Sequence, residues 1–297
     1  MRYAVMTALL LGASQITTPA EESPDTFTLW QLPEQTPTQM MSYVIQTING
    51  QVIVIDGGNT GDAAYLKGFI AALGNKVDVW FISHMHLDHV DALNEIMTHQ
   101  NPPKILEVVT TLPEMAWLEE HCNIDRPGAR ASDSKAGLLE GTSKLGIPIR
   151  DVVLGEEFEI DGIQVKVLGI INPEITANAV NNSSLVWRMW DDHKSVLFTG
   201  DIGAEAGDKL LDTPYAEYLP SDIVQMSHHG QVGASKEFYA KVNARYALWP
   251  TPDWLWFVDN GGGVGSGPWQ TLEVREWMEA LGIEENFVSK DGLHKIR

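Results

Sequence analysis

Between Ile82 and His89 the chain reads Ile-Ser-His-Met-His-Leu-Asp-His. Three imidazoles and a carboxylate thus fall within six residues, at His84, His86, Asp88 and His89. The run follows Val77 to Ile82, a continuous apolar-rich segment that reads as a buried strand. It opens the segment His89 to His99, where Val90, Leu93, Ile96 and Met97 recur at helical spacing until Pro102-Pro103. Packing does not explain so many polar groups between a buried strand and a helix. Imidazoles at i and i+2 of an extended loop, His84 and His86, can converge on one metal ion. Asp88 and His89, at the helix start, point to a second position nearby. Imidazole together with carboxylate suits Zn, Mn or Fe.

The rest of the chain alternates hairpins with helices. Asn49-Gly50, Asp161-Gly162 and Asp191-Asp192 each separate two strand-like runs, and the first two carry strong tight-turn signals. Helices are expected over Asp62–Leu73, Ala204–Leu211, Lys236–Lys241 (with Ser235 as N-cap) and Thr271–Leu281. Ile105–Thr110, Ile223–Met226 and Ala244–Trp249 read as strands, and Asn286–Ile296 as a closing hairpin around Asp291-Gly292. Glu119 to Gly146 reads as a helix and a long loop. Strand–helix alternation of this kind implies α/β layering. Hairpins and helices recur in both halves, and no Pro- or Gly-rich linker divides them. A two-sheet sandwich with helices outside, in one domain over residues 21–297, accommodates this pattern.

Four segments together resemble the metallo-β-lactamase superfamily, and the resemblance runs from about Thr38 to the C-terminus. His84-x-His86-x-Asp88-His89 carries its signature. Val54-Ile55-Asp56-Gly57-Gly58 is similar to its first motif, whose Asp supports the metal site from behind. Leu197-Phe198-Thr199-Gly200-Asp201 is similar to its fourth, whose Asp bridges two metals. Met226-Ser227-His228-His229-Gly230 is similar to the last, which supplies a His to the second metal. Which of the two imidazoles binds stays open in the sequence. His228, nearer the strand end, is favoured, with His229 lining the pocket. Many members carry a further His before the bridging Asp, where this chain has Asn181-Asn182-Ser183-Ser184-Leu185-Val186. That combination resembles a narrower branch, which includes the hydrolase domain of the competence DNA-uptake channel and the phosphorylcholine esterases. Asn182 then stands in place of the missing His, as a poorer zinc ligand or as a partner for water or substrate.

The resemblance implies an α/β fold, the four-layer αβ/βα sandwich, with two divalent ions, Zn first and Mn or Fe as alternatives. It implies a hydrolase in which the ions lower the pKa of water and polarise the scissile oxygen, with Asp88 or Asp201 orienting the hydroxide. The metal set is His84, His86, Asp88, His89, Asp201 and His228, with Asp56, Asn182 and His229 close by. The narrower likeness points to phosphoester or phosphodiester hydrolysis. Lactone, thioester, β-lactam and sulfate esters are alternatives, as is a non-catalytic metal- or carbohydrate-binding module. Gly261-Gly262-Gly263 precedes no Lys-Ser or Lys-Thr, so no phosphate-cradling loop competes. Trp249, Trp254, Trp256 and Trp269 form either a stacking wall for a sugar, a choline-like cation or an aromatic group, or ordinary packing. Arg126 and Arg130 read as solvated loop residues. His99 and His121 read as helix-surface residues, and His294 as a strand residue.

Residues 1–20 read as a secretory signal peptide: Arg2, ten uncharged residues from Ala4, then Thr18-Pro19-Ala20 as a small-x-small site. Export to the periplasm or medium is therefore expected. No apolar run approaches the ~20 residues of a membrane span. The chain carries 40 Asp and Glu against 20 Lys and Arg, a formal charge of −20. Long nucleic acids need a basic face and are not expected partners. Two divalent cations outweigh two ligand carboxylates and a hydroxide, so the centre itself would be positive and suit a small or short anionic substrate.

Overall fold

The computed structural model describes residues 26–121 and 130–297. The expected signal peptide, Cys122 and Arg126 lie outside the described residues. The first half contains β1 (Thr28–Gln31), β2 (Ser42–Gln46), β3 (Val52–Asp56), α1 (Ala63–Ala72), β4 (Lys76–Val77), β5 (Val79–Phe81) and α2 (Leu87–Thr98). It continues with β6 (Lys104–Ile105), β7 (Val108–Thr110), α3 (Met115–His121), α4 (Ala131–Leu145) and β8 (Ile149–Asp151). The second half runs through β9 (Glu157–Ile160), β10 (Ile163–Gly169), β11 (Val186–Trp190), β12 (Ser195–Phe198), α5 (Ala204–Leu211) and β13 (Ile223–Gln225). Then come α6 (Lys236–Val242), β14 (Tyr246–Trp249), α7 (Asp253–Trp256), α8 (Thr271–Ala280), β15 (Glu285–Val288) and β16 (His294–Ile296).

Two seven-stranded sheets result, in the orders β16-β1-β2-β3-β5-β7-β8 and β15-β14-β13-β12-β11-β10-β9. In each, antiparallel pairing gives way to parallel: at β3–β5 in the first sheet and at β12–β13 in the second. The layers follow from side-chain alternation. Val52 and Val54 turn toward α1 and α2, whereas Ile53 and Ile55 turn toward the other sheet. Because both faces are covered, β3 reads as an unbroken apolar run. Between the sheets Phe158, Phe81, Trp187 and Phe198 stack in series. The second sheet packs its outer face on α5, α6 and α8 through Val224, Phe238, Ala247 and Val274. The order is therefore helices, sheet, sheet, helices, as the α/β sandwich requires. Among the described residues no helix is long and apolar enough to cross a membrane.

The three hairpins expected at Asn49-Gly50, Asp161-Gly162 and Asp191-Asp192 all form. The expected strand Val77–Ile82 is interrupted at Asp78, whose carboxylate accepts the amide of Val52. One larger expectation is corrected. Asn286–Ile296 is not a hairpin: β15 pairs parallel with β14 in the second sheet, while β16 pairs antiparallel with β1 in the first. A 3-10 turn at Ser289–Asp291 and Gly292, at φ 106° and ψ −159°, carry the chain across the sandwich. That geometry does not fold one strand back onto its neighbour, as a two-residue turn with both centres left-handed does.

Candidate metal centre

The expected ligands gather at one edge of the sandwich, where parallel strands end. β3 ends in Asp56, β5 leads to Ser83 and His84, β12 to Asp201, and β13 to His229. Loops beyond the carboxyl ends of such strands are where α/β proteins place their ligands. Asp56 adopts φ 53°, a left-handed conformation that Asp tolerates better than most residues. This turns its carboxylate back toward the β5–α2 loop. Asp56 accepts the Ser83 amide and hydroxyl, both at 2.7 Å, and lies 2.6 Å from His89 Nδ1.

Two sets of donor atoms converge. His84, His89 and Asp201 form one, and Asp88, His89 and His229 the other; within each set the atoms lie no more than 4.8 Å apart. His89 Nε2 is 3.3 Å from Asp201 Oδ2. His229 Nε2 is 3.2 Å from Asp88 Oδ2 and 3.3 Å from Asp201 Oδ2. His86 Nδ1 is 3.0 Å from His84 Nε2. Despite these distances, His89 Nε2, His229 Nε2 and Asp201 Oδ1 have no hydrogen-bond partner. Buried polar atoms are rarely left so. Imidazole nitrogens and carboxylate oxygens that crowd together without bonding one another are the pattern a shared cation satisfies, so these residues fit a dinuclear centre.

Their outer partners fix the donor atoms. His89 Nδ1 donates to Asp56 and His229 Nδ1 to the Pro250 carbonyl at 3.0 Å, which leaves both Nε2 atoms to face the carboxylates. Ser83 Oγ donates to Asp56, so it accepts from His84 Nδ1 at 3.0 Å. Burial disfavours charge on His89 and His229, but Asp201 and its neighbouring carboxylates outweigh it. The pKa of His89 is held well above the usual imidazole range and that of His229 is raised to about 9. Burial likewise opposes ionisation of Asp88 and Asp201, yet the same imidazoles hold both below the ordinary carboxylate range. Burial, with the neighbouring imidazoles of His89 and His86, pushes His84 down. Without cations, protons on His89 and His229 compensate the two carboxylates.

Two expectations are corrected. His229, not His228, faces Asp88 and Asp201. The two residues adopt consecutive left-handed conformations, φ 50° and 56°, and Gly230 follows at φ 77°. This tight turn swings the second imidazole inward. His228 instead lines the cavity, with Nδ1 donating to the Val232 carbonyl and Nε2 accepting from Asn181. Asn182 does not stand among the donors either. Its Oδ1 accepts the amides of Gly203 and Ala206 at the start of α5, and its Nδ2 donates to the Ala177 carbonyl and to Glu205. It braces the segment that carries Asp201, as does Ser184, whose hydroxyl accepts the Asp201 amide.

The donors open on a cavity of about 720 Å³. Its lining includes His86, Asp88 and Asp201, the amides of Asn178 and Asn181, and Trp254 and Trp269. Only two of the four tryptophans therefore reach it; Trp249 is in the core, and Trp256 packs edge-on against it. His121, expected on a helix surface, also lines the cavity and packs beside Trp117. His99 pairs with Glu95, His294 bonds the Val288 carbonyl, and Arg130 is exposed. Gln39, which donates to Asp88 Oδ2 at 3.1 Å, was not foreseen, because no motif marks a lone glutamine before a strand. Asn181 could have been found from its place beside Asn182.

Comparison with known proteins agrees with this geometry. The sequence model of the Metallo-beta-lactamase superfamily matches residues 36–248. No curated protein matches the chain. Among solved structures, the metallo-beta-lactamase fold protein YhfI from Bacillus subtilis is similar at a TM-score of 0.55 and 12% identity, over 92% of this chain and 100% of its own. CmlA, a diiron beta-hydroxylase from Streptomyces venezuelae, is similar at 0.56 and 13% identity, over 93% of this chain and 55% of its own. The chain thus spans about half of CmlA, and at such identities the likeness is one of fold.

Proposed function

Because the chain belongs to the metallo-β-lactamase superfamily, we propose that it is a metal-dependent hydrolase of phosphoesters, acting by preference on phosphodiesters. The observation that carries this reading is the convergence of His84, Asp88, His89, Asp201 and His229 on two adjoining positions that open into a cavity. His84, Asp88, His89, Asp201 and His229 would hold divalent cations, whose chemistry when bound would be to lower the pKa of water and polarise the oxygen of the bond to be cleaved. His89 belongs to both sets, and Asp201 Oδ2 approaches it and also His229 of the second set, so Asp201 lies within reach of both positions. Asp88 is positioned by Gln39 and lines the cavity, where it can orient a water molecule. Asp56 and the Pro250 carbonyl hold His89 and His229 in the tautomers that present Nε2 inward.

The narrower likeness to the competence DNA-uptake hydrolase domain and the phosphorylcholine esterases supports phosphoester chemistry. The net charge of −20 does not contradict that chemistry; it disfavours long polyanions and leaves small esters as substrates. In the same reading residues 21–297 form one hydrolase domain, and residues 1–20 direct export. The test is metal analysis of purified protein, followed by a screen of chromogenic phosphodiesters, phosphomonoesters, lactones and cephalosporins. Metal-dependent turnover of phosphodiesters is expected, and its loss in Asp88→Ala with the fold intact. Turnover of lactones or cephalosporins without any phosphoester would overturn the assignment.

A further inference from the structure

Asp201 and His229 reach the metal positions from two loops that follow adjacent parallel strands, β12 and β13. The main-chain ladder between these strands ends at Leu197–Val224, before either loop begins. Beyond it a side chain continues the pairing. Gln225 closes β13 and is completely buried. Strand alternation places it on the face of Ile223, between the two sheets, where an apolar residue is the ordinary occupant. Its amide is used at both ends. Oε1 accepts the Thr199 amide at 2.8 Å and lies 2.9 Å from the Thr199 hydroxyl. Nε2 donates to the Gly200 carbonyl at 3.0 Å and to the Met226 carbonyl at 2.6 Å.

These partners are the roots of the two loops. Gly200 immediately precedes Asp201, and its carbonyl also accepts the amide of His228, the residue before His229, at 3.3 Å. One side chain therefore ties the backbone that leads into Asp201 to the strand end that carries His229, and the facing atoms of those two residues lie 3.3 Å apart. Glutamate at this place would keep an acceptor for Thr199 but set a second oxygen against two carbonyls. A hydrocarbon side chain would leave the Thr199 amide and the Met226 carbonyl without this partner, and buried groups left unpaired are costly enough to shift the backbone. The opposite end of the same strand pair has a brace of its own. The Asp222 carboxylate accepts the Ser195 amide at 2.8 Å and the Ser195 hydroxyl at 2.7 Å. That brace holds β12 to β13 without bonding to either ligand loop, so the two can be compared on one strand pair.

We propose that Gln225 is a positioning residue that sets Asp201 and His229 at the separation the metal positions require. The proposal rests on the metal-centre reading and is independent of the substrate class. Gln225→Met removes the whole amide, and Gln225→Glu removes only its donors. Ser195→Ala is the control, since it weakens the brace at the other end of β12 and β13. Each protein, shown to be folded by circular dichroism, would be titrated with Zn²⁺ against a chromogenic chelator and, separately, with Co²⁺ while its visible absorption is followed. Both Gln225 variants should bind Zn²⁺ about 10- to 100-fold more weakly than the parent, the effect usual for partners behind a metal ligand, and should shift the Co²⁺ bands. Ser195→Ala should match the parent in both readings even though its urea midpoint falls. A merely structural Gln225 would lower the urea midpoint in the same way and leave affinity and spectrum untouched. Parental Zn²⁺ affinity and Co²⁺ bands in Gln225→Met would therefore overturn the proposal, as would an equal loss of affinity in Ser195→Ala. If Gln225→Met is not recovered folded, Gln225→Glu decides on the same two readings. A parent protein that binds neither ion would overturn the metal-centre reading itself, and this proposal with it.

Discussion

The carboxylate of Asp56 lies 2.6 Å from Nδ1 of His89, and neither side chain is reached by solvent. Asp56 accepts three hydrogen bonds and has no donor of its own to offer, so a neutral His89 must keep its proton on Nδ1 and its lone pair on Nε2. The metal-facing atom is thus chosen by a residue that never faces the metal positions.

Asp56→Asn keeps the volume but places an amide N–H₂ among groups that are themselves donors. His89 then loses its fixed tautomer. Metal affinity should fall by about 10- to 100-fold, the usual effect of removing such an outer partner. Competition with a chromogenic chelator measures it, and an affinity equal to that of the parent would show that Asp56 does not orient His89.

The adjacent imidazoles separate cleanly by role. His229→Ala should lose bound metal, because His229 Nε2 faces both Asp88 and Asp201. His228→Ala should retain the parent's metal content, because its imidazole bonds Val232 and Asn181 instead. Elemental analysis of the two purified variants decides the matter, and the opposite pattern would restore His228 as the ligand.

The raised imidazoles give the metal-stripped protein a distinctive pH response. His229, with an ordinary pKa of about 6.5 when unfolded, is raised to about 9 when folded. Its stabilising charge is therefore fully present below about pH 6.5 and is lost as pH rises through about 9. His89 acts in the same direction. The Tm of chelator-treated protein should fall between these limits, while that of metal-loaded protein should hold, since cations replace the protons. Metal binding at pH 7.5 should also release protons, seen as a calorimetric enthalpy that varies with the ionisation enthalpy of the buffer. A Tm that responds to pH identically with and without metal would contradict this account.

Asn182→Ala tests the brace behind Asp201. It removes the acceptor of two buried amides, Gly203 and Ala206. A cost of about 1–3 kcal/mol is expected for buried groups left unpaired, read from the urea midpoint at constant m-value. No change in stability would mean that the start of α5 finds other partners.

Much of this was legible in the sequence because it is local. Asn49-Gly50 and Asp161-Gly162 declare their turns within two residues, and His84 to His89 span one short loop and the first turn of α2, between a strand and a helix that are read from periodicity. What escaped depends on backbone rotation or on distant partners. The choice between His228 and His229 turns on two successive left-handed residues, which no hydrophobic pattern announces. Asn181 and Asn182 sit in a 3-10 turn where adjacent side chains diverge, so one reaches the cavity and the other α5. β16 looked like half a hairpin because its partner, β1, lies at the other end of the sequence.

That pairing of β16 with β1 has a kinetic consequence. Leu29 meets Ile296, so the first sheet cannot complete its order until nearly the whole chain is available. Until then β1 offers an open edge to any other extended strand. The donors are divided in the same way, His84 to His89 from the first half and Asp201 and His229 from the second. Contacts of such long sequence separation make folding slow and leave partly formed intermediates prone to aggregation. Closing the first sheet thus joins its two strands most distant in sequence, and assembling the metal positions joins segments from both halves.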